Sequence, residues 1–117
     1  MKNNQDKGSA GEKKALEYLK KNDYKIIDTN FNSKFGEIDI IAEKGENLVF
    51  VEVKYRKGNS YGSPLEAITR KKQRTIIKVS RYYLLLNGEK YLKYYIRYDV
   101  IGIKGNNLEH IKGAFYE

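Results

Sequence analysis

The chain has 117 residues, a formal net charge of +8, one histidine and no cysteine. This length predicts a single domain over residues 1–117, and the lack of cysteine excludes disulfides, thiolate metal sites and cysteine nucleophiles. A zinc hydrolase is not expected with one histidine, and because the chain lacks both a run of ~20 apolar residues and a signal-peptide core, we expect a cytoplasmic protein without membrane association.

The first predicted element is a helix from about Ala10 to Lys21. Ser9-Ala-Gly-Glu12 fits a capping box, in which Ser9 caps the helix and Glu12 reaches back to the Ser9 amide. A second interpretation, which does not exclude the first, places Glu12 at the head of the helix face that packs against a sheet, where its carboxylate would point at the acidic residues described below. That face has the i, i+3, i+4, i+7 spacing of Glu12, Ala15, Leu16 and Leu19.

A strand near Tyr24 to Phe31 comes next, and an antiparallel hairpin follows it. Segments 36–42 and 48–54 are rich in β-branched residues, and Lys44-Gly45-Glu46-Asn47 between them has turn chemistry. A symmetric loop puts Asp39 opposite Glu52 and Glu37 opposite Lys54.

Two carboxylates that face each other across the strands have Cβ atoms roughly 5 Å apart, and their negative charges repel. A divalent cation would cancel this repulsion. Mg²⁺ is held by one or two carboxylates together with waters and phosphate oxygens, so Asp39 and Glu52 suffice as protein ligands. Lys54 follows Glu52 by two residues on the same face, roughly 7 Å away, within reach of a scissile phosphate or an attacking water.

The alternative is an ordinary wet strand, on which Lys54 only pairs with Glu37 across the ladder. The metal site is favoured because the second strand is apolar on both sides, so that charges at its end need a partner or a purpose. Its two faces are Val49, Val51 and Val53 on one side and Leu48 and Phe50 on the other.

After the hairpin comes a glycine-bearing loop and then a helical region that ends at Gly88. Ser63, Pro64 and Glu66 form a second capping box, and a break is expected near Thr69. Residues 54–81 hold nine basic side chains against one acid, and the remainder of the chain is close to neutral. This imbalance predicts a nucleic-acid-binding surface, the alternative being a solvated helix face. The predicted contacts are Arg56, Lys57, Arg70, Lys71, Lys72, Arg74 and Lys78.

Two final strands are predicted, from Tyr94 to Ile103 and from Leu108 to Phe115. Asp99 is expected to pair with a nearby base such as Arg97. His110 is expected to have a surface or strand role and not a catalytic one. The predicted order is helix, three strands, helix, two strands.

Several motifs together resemble the YraN-type uncharacterised family of small bacterial proteins. They are Gly36-Glu-Ile-Asp39, Phe50-Val-Glu-Val-Lys-Tyr-Arg56, Tyr61-Gly-Ser-Pro64, Arg97-Tyr-Asp-Val100 and Ala114-Phe115. That family is similar to archaeal Holliday junction resolvases and, more broadly, to restriction-endonuclease-like nucleases. The resemblance implies an α/β fold with a central mixed sheet flanked by helices, and often a homodimer. It also implies that Glu12, Asp39, Glu52 and Lys54 occupy four signature positions, with the Val53 carbonyl as an additional metal ligand.

These observations predict a Mg²⁺- or Mn²⁺-dependent endonuclease that hydrolyses branched or single-stranded DNA. Asp39 and Glu52 would hold the ion, Lys54 would orient the attacking water and offset charge, and Glu12 would support a second ion or a water. The alternative is a non-catalytic nucleic-acid-binding protein with the same fold, whose tyrosines stack on unpaired bases. The tyrosines considered are Tyr55, Tyr61, Tyr82 and Tyr83.

Overall fold

Five strands form one open sheet that carries a helix on each face. The computed structural model describes the backbone of residues 2–57 and 62–117 and the side chains of residues 10–57 and 62–117. Two short 3₁₀ helices, Pro64–Ala67 and Gly88–Tyr91, flank the second α-helix. The main elements are α1 Lys2–Lys21, β1 Lys25–Ser33, β2 Gly36–Lys44, β3 Asn47–Arg56, α2 Arg70–Asn87, β4 Tyr95–Lys104 and β5 Asn107–Phe115.

The sheet order is β1-β2-β3-β4-β5, with β3 and β4 parallel and the other neighbouring strands antiparallel. The predicted mixed sheet, the predicted order of elements and the predicted break before α2 are therefore confirmed. Neither described helix has the length and apolar character of a bilayer-spanning segment.

Helix α1 begins at Lys2, eight residues before the predicted start. Ser9 therefore lies inside the helix, and the predicted capping box of Ser9 and Glu12 is wrong. Only the first four amides of a helix lack an intrahelical acceptor, so Ser9 has no orphan amide for Glu12 to satisfy.

The β2–β3 hairpin has the predicted register, from Lys44 opposite Asn47 to Ile40 opposite Val51. Gly45 opens the two-residue turn with φ +59°, a left-handed conformation that glycine adopts without steric cost. The β2–β3 pairing stops at Ile40, one residue before Asp39 would meet Glu52.

Strand β3 is buried on both faces, as its apolar pattern predicts. Val49 and Val51 pack with Ala15 and Leu19 of α1. Leu48 and Phe50 pack on the opposite side with residues of α2. Because α1 and α2 cover opposite faces, a residue at the end of β3 can receive side chains from both helices.

The N-terminus of α2 is fixed by Thr69, whose Oγ1 accepts a 3.0 Å hydrogen bond from the Lys72 amide. The preceding 3₁₀ helix starts as predicted, with the Ser63 amide donating to Glu66 Oε2 at 3.1 Å. These caps place the first turn of α2, and with it Lys72, over the end of the β2–β3 hairpin.

Candidate active site

Asp39 lies where β2 separates from β3. Its Oδ2 accepts a 2.8 Å hydrogen bond from the Val53 amide, so a side chain takes the place of a main-chain acceptor in the ladder. Strict alternation would put Ile38 and Ile40 on one face, but Ile38 packs on the α2 side and Ile40 on the α1 side. The strand thus departs from a regular pleat at Asp39, which turns the carboxylate toward β3.

The carboxyl groups of Asp39 and Glu52 lie close enough that each changes the pKa of the other. Burial, and then the charge of Asp39, raise the pKa of Glu52 to about 8. Burial also raises the pKa of Asp39, although the Val53 amide acts in the opposite direction. The structure therefore brings together the two carboxylates that the sequence analysis singled out.

Two further carboxylates belong to the same acidic cluster, which we define as Glu12, Glu37, Asp39 and Glu52. Burial, followed by the charge of Asp39, raises the pKa of Glu12 and that of Glu37. Glu12 reaches the cluster from α1, and the neighbouring side chain of Asn30, a residue with φ +53°, acts to lower the pKa of Glu12. Glu12 therefore takes the second of its two predicted positions.

Glu37 was missed as a member of the cluster. It was predicted to face Lys54, but the β2–β3 ladder ends before that pair can form, and Glu37 interacts electrostatically with Asp39 instead. Alternation alone does not predict this shared face, because the pleat of β2 is interrupted at Asp39.

Lys72 supplies the positive charge that acts on Glu52 from α2. Its Nζ lies 3.8 Å from Glu52 Oε2. The charge of Lys72 lowers the pKa of Glu52, whereas burial and the charge of Asp39 raise it. The exposed Lys54 acts on Glu52 in the same direction but less strongly. The sequence had assigned Lys72 only to the nucleic-acid surface, and Lys54 alone to the site.

The donor atoms fit an open site for Mg²⁺ or Mn²⁺ and do not form a closed cage. Within the described ranges, no three side chains of His, Cys, Asp or Glu are arranged as a ready metal-ligand set. Mg²⁺ needs only one or two carboxylates and keeps several waters, which suits Asp39 and Glu52 with the neighbouring Val53 carbonyl. A cation would also remove the repulsion between two partly buried acids whose pKa values are both raised.

The predicted nucleic-acid residues differ in their surroundings. Arg56 donates from Nη1 to the Gly62 carbonyl at 2.7 Å, so it anchors the loop after β3. Lys72 is directed at Glu52. The exposed members of the predicted set are Lys57, Arg70, Lys71, Arg74 and Lys78.

A second buried charge cluster lies around Asp99, which is fully buried. Arg97 donates two hydrogen bonds to its carboxylate, at 2.9 and 2.8 Å, which confirms the predicted pairing. His110 Nε2 lies 2.7 Å from Asp99 Oδ2, and its Nδ1 lies 2.9 Å from the Tyr18 hydroxyl. Burial would raise the pKa of Asp99, but the bonds from His110, Arg97 and the Gly113 amide outweigh it and lower the pKa.

The surface role considered for His110 is wrong, because its side chain is only 3% exposed. It does lie on a strand, β5, as the other half of that prediction stated. This contact could not be predicted from sequence spacing, because Asp99 lies on the neighbouring strand. The Asp99–His110 bond connects β4 to β5.

Residues 11–103 match the model of a family described as "Uncharacterised protein family UPF0102". The chain belongs to the UPF0102 family. It is 49% identical to a UPF0102 protein of Persephonella marina over 93% of this chain and 92% of the relative. The UPF0102 protein of Fusobacterium nucleatum is 46% identical over 97% and 94% of the two chains. That of Clostridium perfringens is also 46% identical, over 99% and 90%.

The UPF0102 match confirms the family resemblance inferred from the motifs. It spans the whole acidic cluster as well as Lys54 and Lys72. Because the relatives are matched over nearly their full length, the site is part of the region that UPF0102 proteins share.

Proposed function

We propose that this UPF0102 protein is a Mg²⁺- or Mn²⁺-dependent endonuclease of the restriction-endonuclease-like class that hydrolyses branched or single-stranded DNA. The observation that supports the proposal most strongly is the proximity of the Asp39 and Glu52 carboxyl groups at the open end of the β2–β3 ladder. Two neighbouring acids that are withdrawn from water are costly unless they serve a purpose. The mixed sheet with one helix on each face is compatible with that class of nuclease.

The ion, when bound, would polarise the phosphate and offset the charge that develops in the transition state. Asp39 is held in orientation by the Val53 amide, which bonds to one of its two carboxylate oxygens. Lys72 favours the ionised form of Glu52, the form that can bind a cation. Lys54 is exposed at the rim, where its ammonium can orient a water or contact the scissile phosphate.

Glu12 and Asn30 extend the site on the α1 side of the sheet. The Glu12 carboxyl lies close enough to Asp39 for the charge of Asp39 to raise its pKa. We propose that Glu12 positions a water or contributes to a second ion, as expected from its place in the acidic cluster.

The exposed basic residues of α2 would bind the DNA backbone. Lys71, Arg74 and Lys78 lie on the helix that also carries Lys72, so a strand bound along α2 leads to the acidic cluster. Lysine and arginine neutralise phosphates and release counterions, which makes such binding strongly salt-dependent. The homodimer implied by the family resemblance stays a prediction, and light scattering of the purified protein will test it.

The proposal is tested by incubating purified protein with end-labelled single-stranded, duplex and branched DNA in Mg²⁺ or Mn²⁺. We expect cleavage that EDTA stops and that Glu52→Gln reduces by at least about 100-fold. Glu46→Gln is the matched control. Because Glu46 is exposed in the hairpin turn, this variant should cleave DNA at the normal rate.

Unchanged cleavage by Glu52→Gln would contradict the assigned site. The non-catalytic alternative makes a different prediction: tight, salt-dependent DNA binding with no Mg²⁺ or Mn²⁺ binding by calorimetry. That combination of results would replace the nuclease with a binding protein.

A further inference from the structure

A cavity of about 510 Å³ lies on the outer side of α2, next to the β1–β2 turn. Two of its walls are the rings of Phe35 and Tyr82, whose centroids are 5.9 Å apart at an interplanar angle of 71°. Phe31 supports Tyr82 from behind, with centroids 6.3 Å apart. The lining residues are Lys34, Phe35, Lys78, Arg81, Tyr82 and Leu85.

The charge of the cavity is entirely positive among its described lining residues. Lys34 and Lys78 place their ammonium groups 5.3 and 4.7 Å from the Phe35 ring centroid. Arg81 is ion-paired with Glu117, so the two lysines are the cations left for a ligand. Four other cavities among the described residues each include a glutamate in their lining. Aromatic walls combined with lysines fit a planar ring that carries a nearby anion.

The cavity is aligned with the acidic cluster along α2. Tyr82 follows Lys72 by ten residues, which is about 15 Å at the helical rise of 1.5 Å per residue. At the 3.4 Å rise of a stacked strand this distance corresponds to about four nucleotides. The exposed Lys78 lies between the two ends. One bound strand can therefore occupy the cavity and the acidic cluster together.

We propose that this cavity binds an unpaired nucleobase of a single strand, with Lys34 and Lys78 on the adjacent phosphates. The base would stack on the face of Tyr82, which every nucleobase can do because each has a π-face, and the inclined ring of Phe35 would lie against its edge. The link to strand cleavage rests on the proposed function, but base binding does not. A duplex keeps its bases stacked inside, so the cavity gives the protein a preference for unpaired strands.

The test is the affinity of a short fluorescein-labelled oligothymidine, measured by anisotropy in EDTA so that no cleavage occurs. Tyr82→Leu keeps apolar bulk but removes the stacking face, and we expect it to weaken binding by about 5- to 150-fold. Tyr82→Phe should bind within about twofold of the normal protein. Tyr95→Ala is the outside control, because Tyr95 is exposed on β4 and does not line the cavity.

Salt dependence separates stacking from charge. Lys78→Gln should reduce the slope of log affinity against log salt by about 0.7, the value for one phosphate on a single strand. Tyr82→Leu should leave that slope unchanged.

Equal affinity of Tyr82→Leu and the normal protein for the single strand would overturn the proposal. An equal loss for a blunt duplex would also overturn it, because the effect would then not depend on unpaired bases. Thermal unfolding of each variant establishes that it is folded before binding is compared. Loss of cleavage in Glu52→Gln tests the nuclease separately, so the two proposals fail independently.

Discussion

The main-chain amide of Val53 and the side chain of Asp39 are joined by a 2.8 Å hydrogen bond across the open end of the β2–β3 hairpin. A carboxylate that is needed to satisfy the backbone cannot turn away from β3 without leaving an amide unpaired. The same bond therefore maintains the strand geometry and directs Asp39 at Glu52.

Asp39→Asn and Asp39→Ala should separate these two roles. Asparagine keeps an oxygen that can accept from Val53, so we expect the free energy of unfolding in urea to change little while cleavage falls by at least about 100-fold. Alanine leaves the amide without its acceptor and should lower the unfolding free energy by about 1–3 kcal/mol. Equal destabilisation by both substitutions would contradict a structural role for the hydrogen bond.

The pKa of Glu52, raised to about 8, predicts how the stability of the metal-free protein depends on pH. A carboxyl with a raised pKa in the folded state binds its proton more tightly there than in the unfolded chain, where the pKa is about 4.3. Its contribution is complete below pH ~4.3 and is lost as the pH rises through about 8. We expect Glu52→Gln to be more stable than the normal protein at pH 9 by at least about 1 kcal/mol, by urea unfolding in EDTA. The prediction would be wrong if the unfolding free energies of Glu52→Gln and the normal protein changed with pH in the same way.

Lys54 and Lys71 should respond differently to the loss of charge. Lys54→Gln is expected to lower the cleavage rate by about tenfold or more, because Lys54 stands beside Glu52 on β3. Lys71→Gln, an exposed change on α2, should weaken DNA binding and reduce its salt dependence without changing the rate at saturating DNA. Both substitutions should leave the unfolding free energy within about 0.5 kcal/mol. If Lys71→Gln cleaved more slowly than the normal protein at saturating DNA, the separation of a catalytic role for Lys54 from a binding role for Lys71 would be wrong.

The Asp99 cluster predicts a loss of stability in acid. Because hydrogen bonds lower the pKa of Asp99, its stabilising contribution is complete above its unfolded pKa of about 3.9. The contribution is lost as the pH falls through the lower folded pKa. Asp99→Ala should cost about 3–5 kcal/mol at neutral pH, since it leaves buried Arg97 and His110 groups without their partner. In Asp99→Asn, the free energy of unfolding in urea should no longer contain the loss in acid that comes from protonation of Asp99.

Local signals predicted much of the fold. The turn at Gly45 set the register of β2 and β3, and hence the approach of Asp39 to Glu52. The capping box at Ser63 predicted the start of the helical region, and the break expected near Thr69 coincides with the N-cap of α2. In contrast, the apparent cap at Ser9 failed because the same residue type is tolerated inside a helix that starts earlier.

The remainder depended on contacts between distant segments. Lys72 reaches Glu52 only because α2 crosses over the end of the hairpin, and periodicity alone could not distinguish it from its exposed basic neighbours. Asp99 and His110 meet because β4 and β5 pair with an irregularity between Tyr98 and Val100. Such an offset has no marker in a single sequence.

The parallel pairing of β3 with β4 also has a kinetic consequence. The hairpin of β2 and β3 closes over two residues and can form in microseconds. The pairing of Asn47 with Tyr95 is slower, because it brings together residues roughly fifty positions apart in the chain. During refolding, Asp39 and Glu52 therefore come together before Lys72 arrives to compensate them. Mutual repulsion at that stage should slow assembly, and mildly acidic conditions, which protonate one partner, should accelerate it.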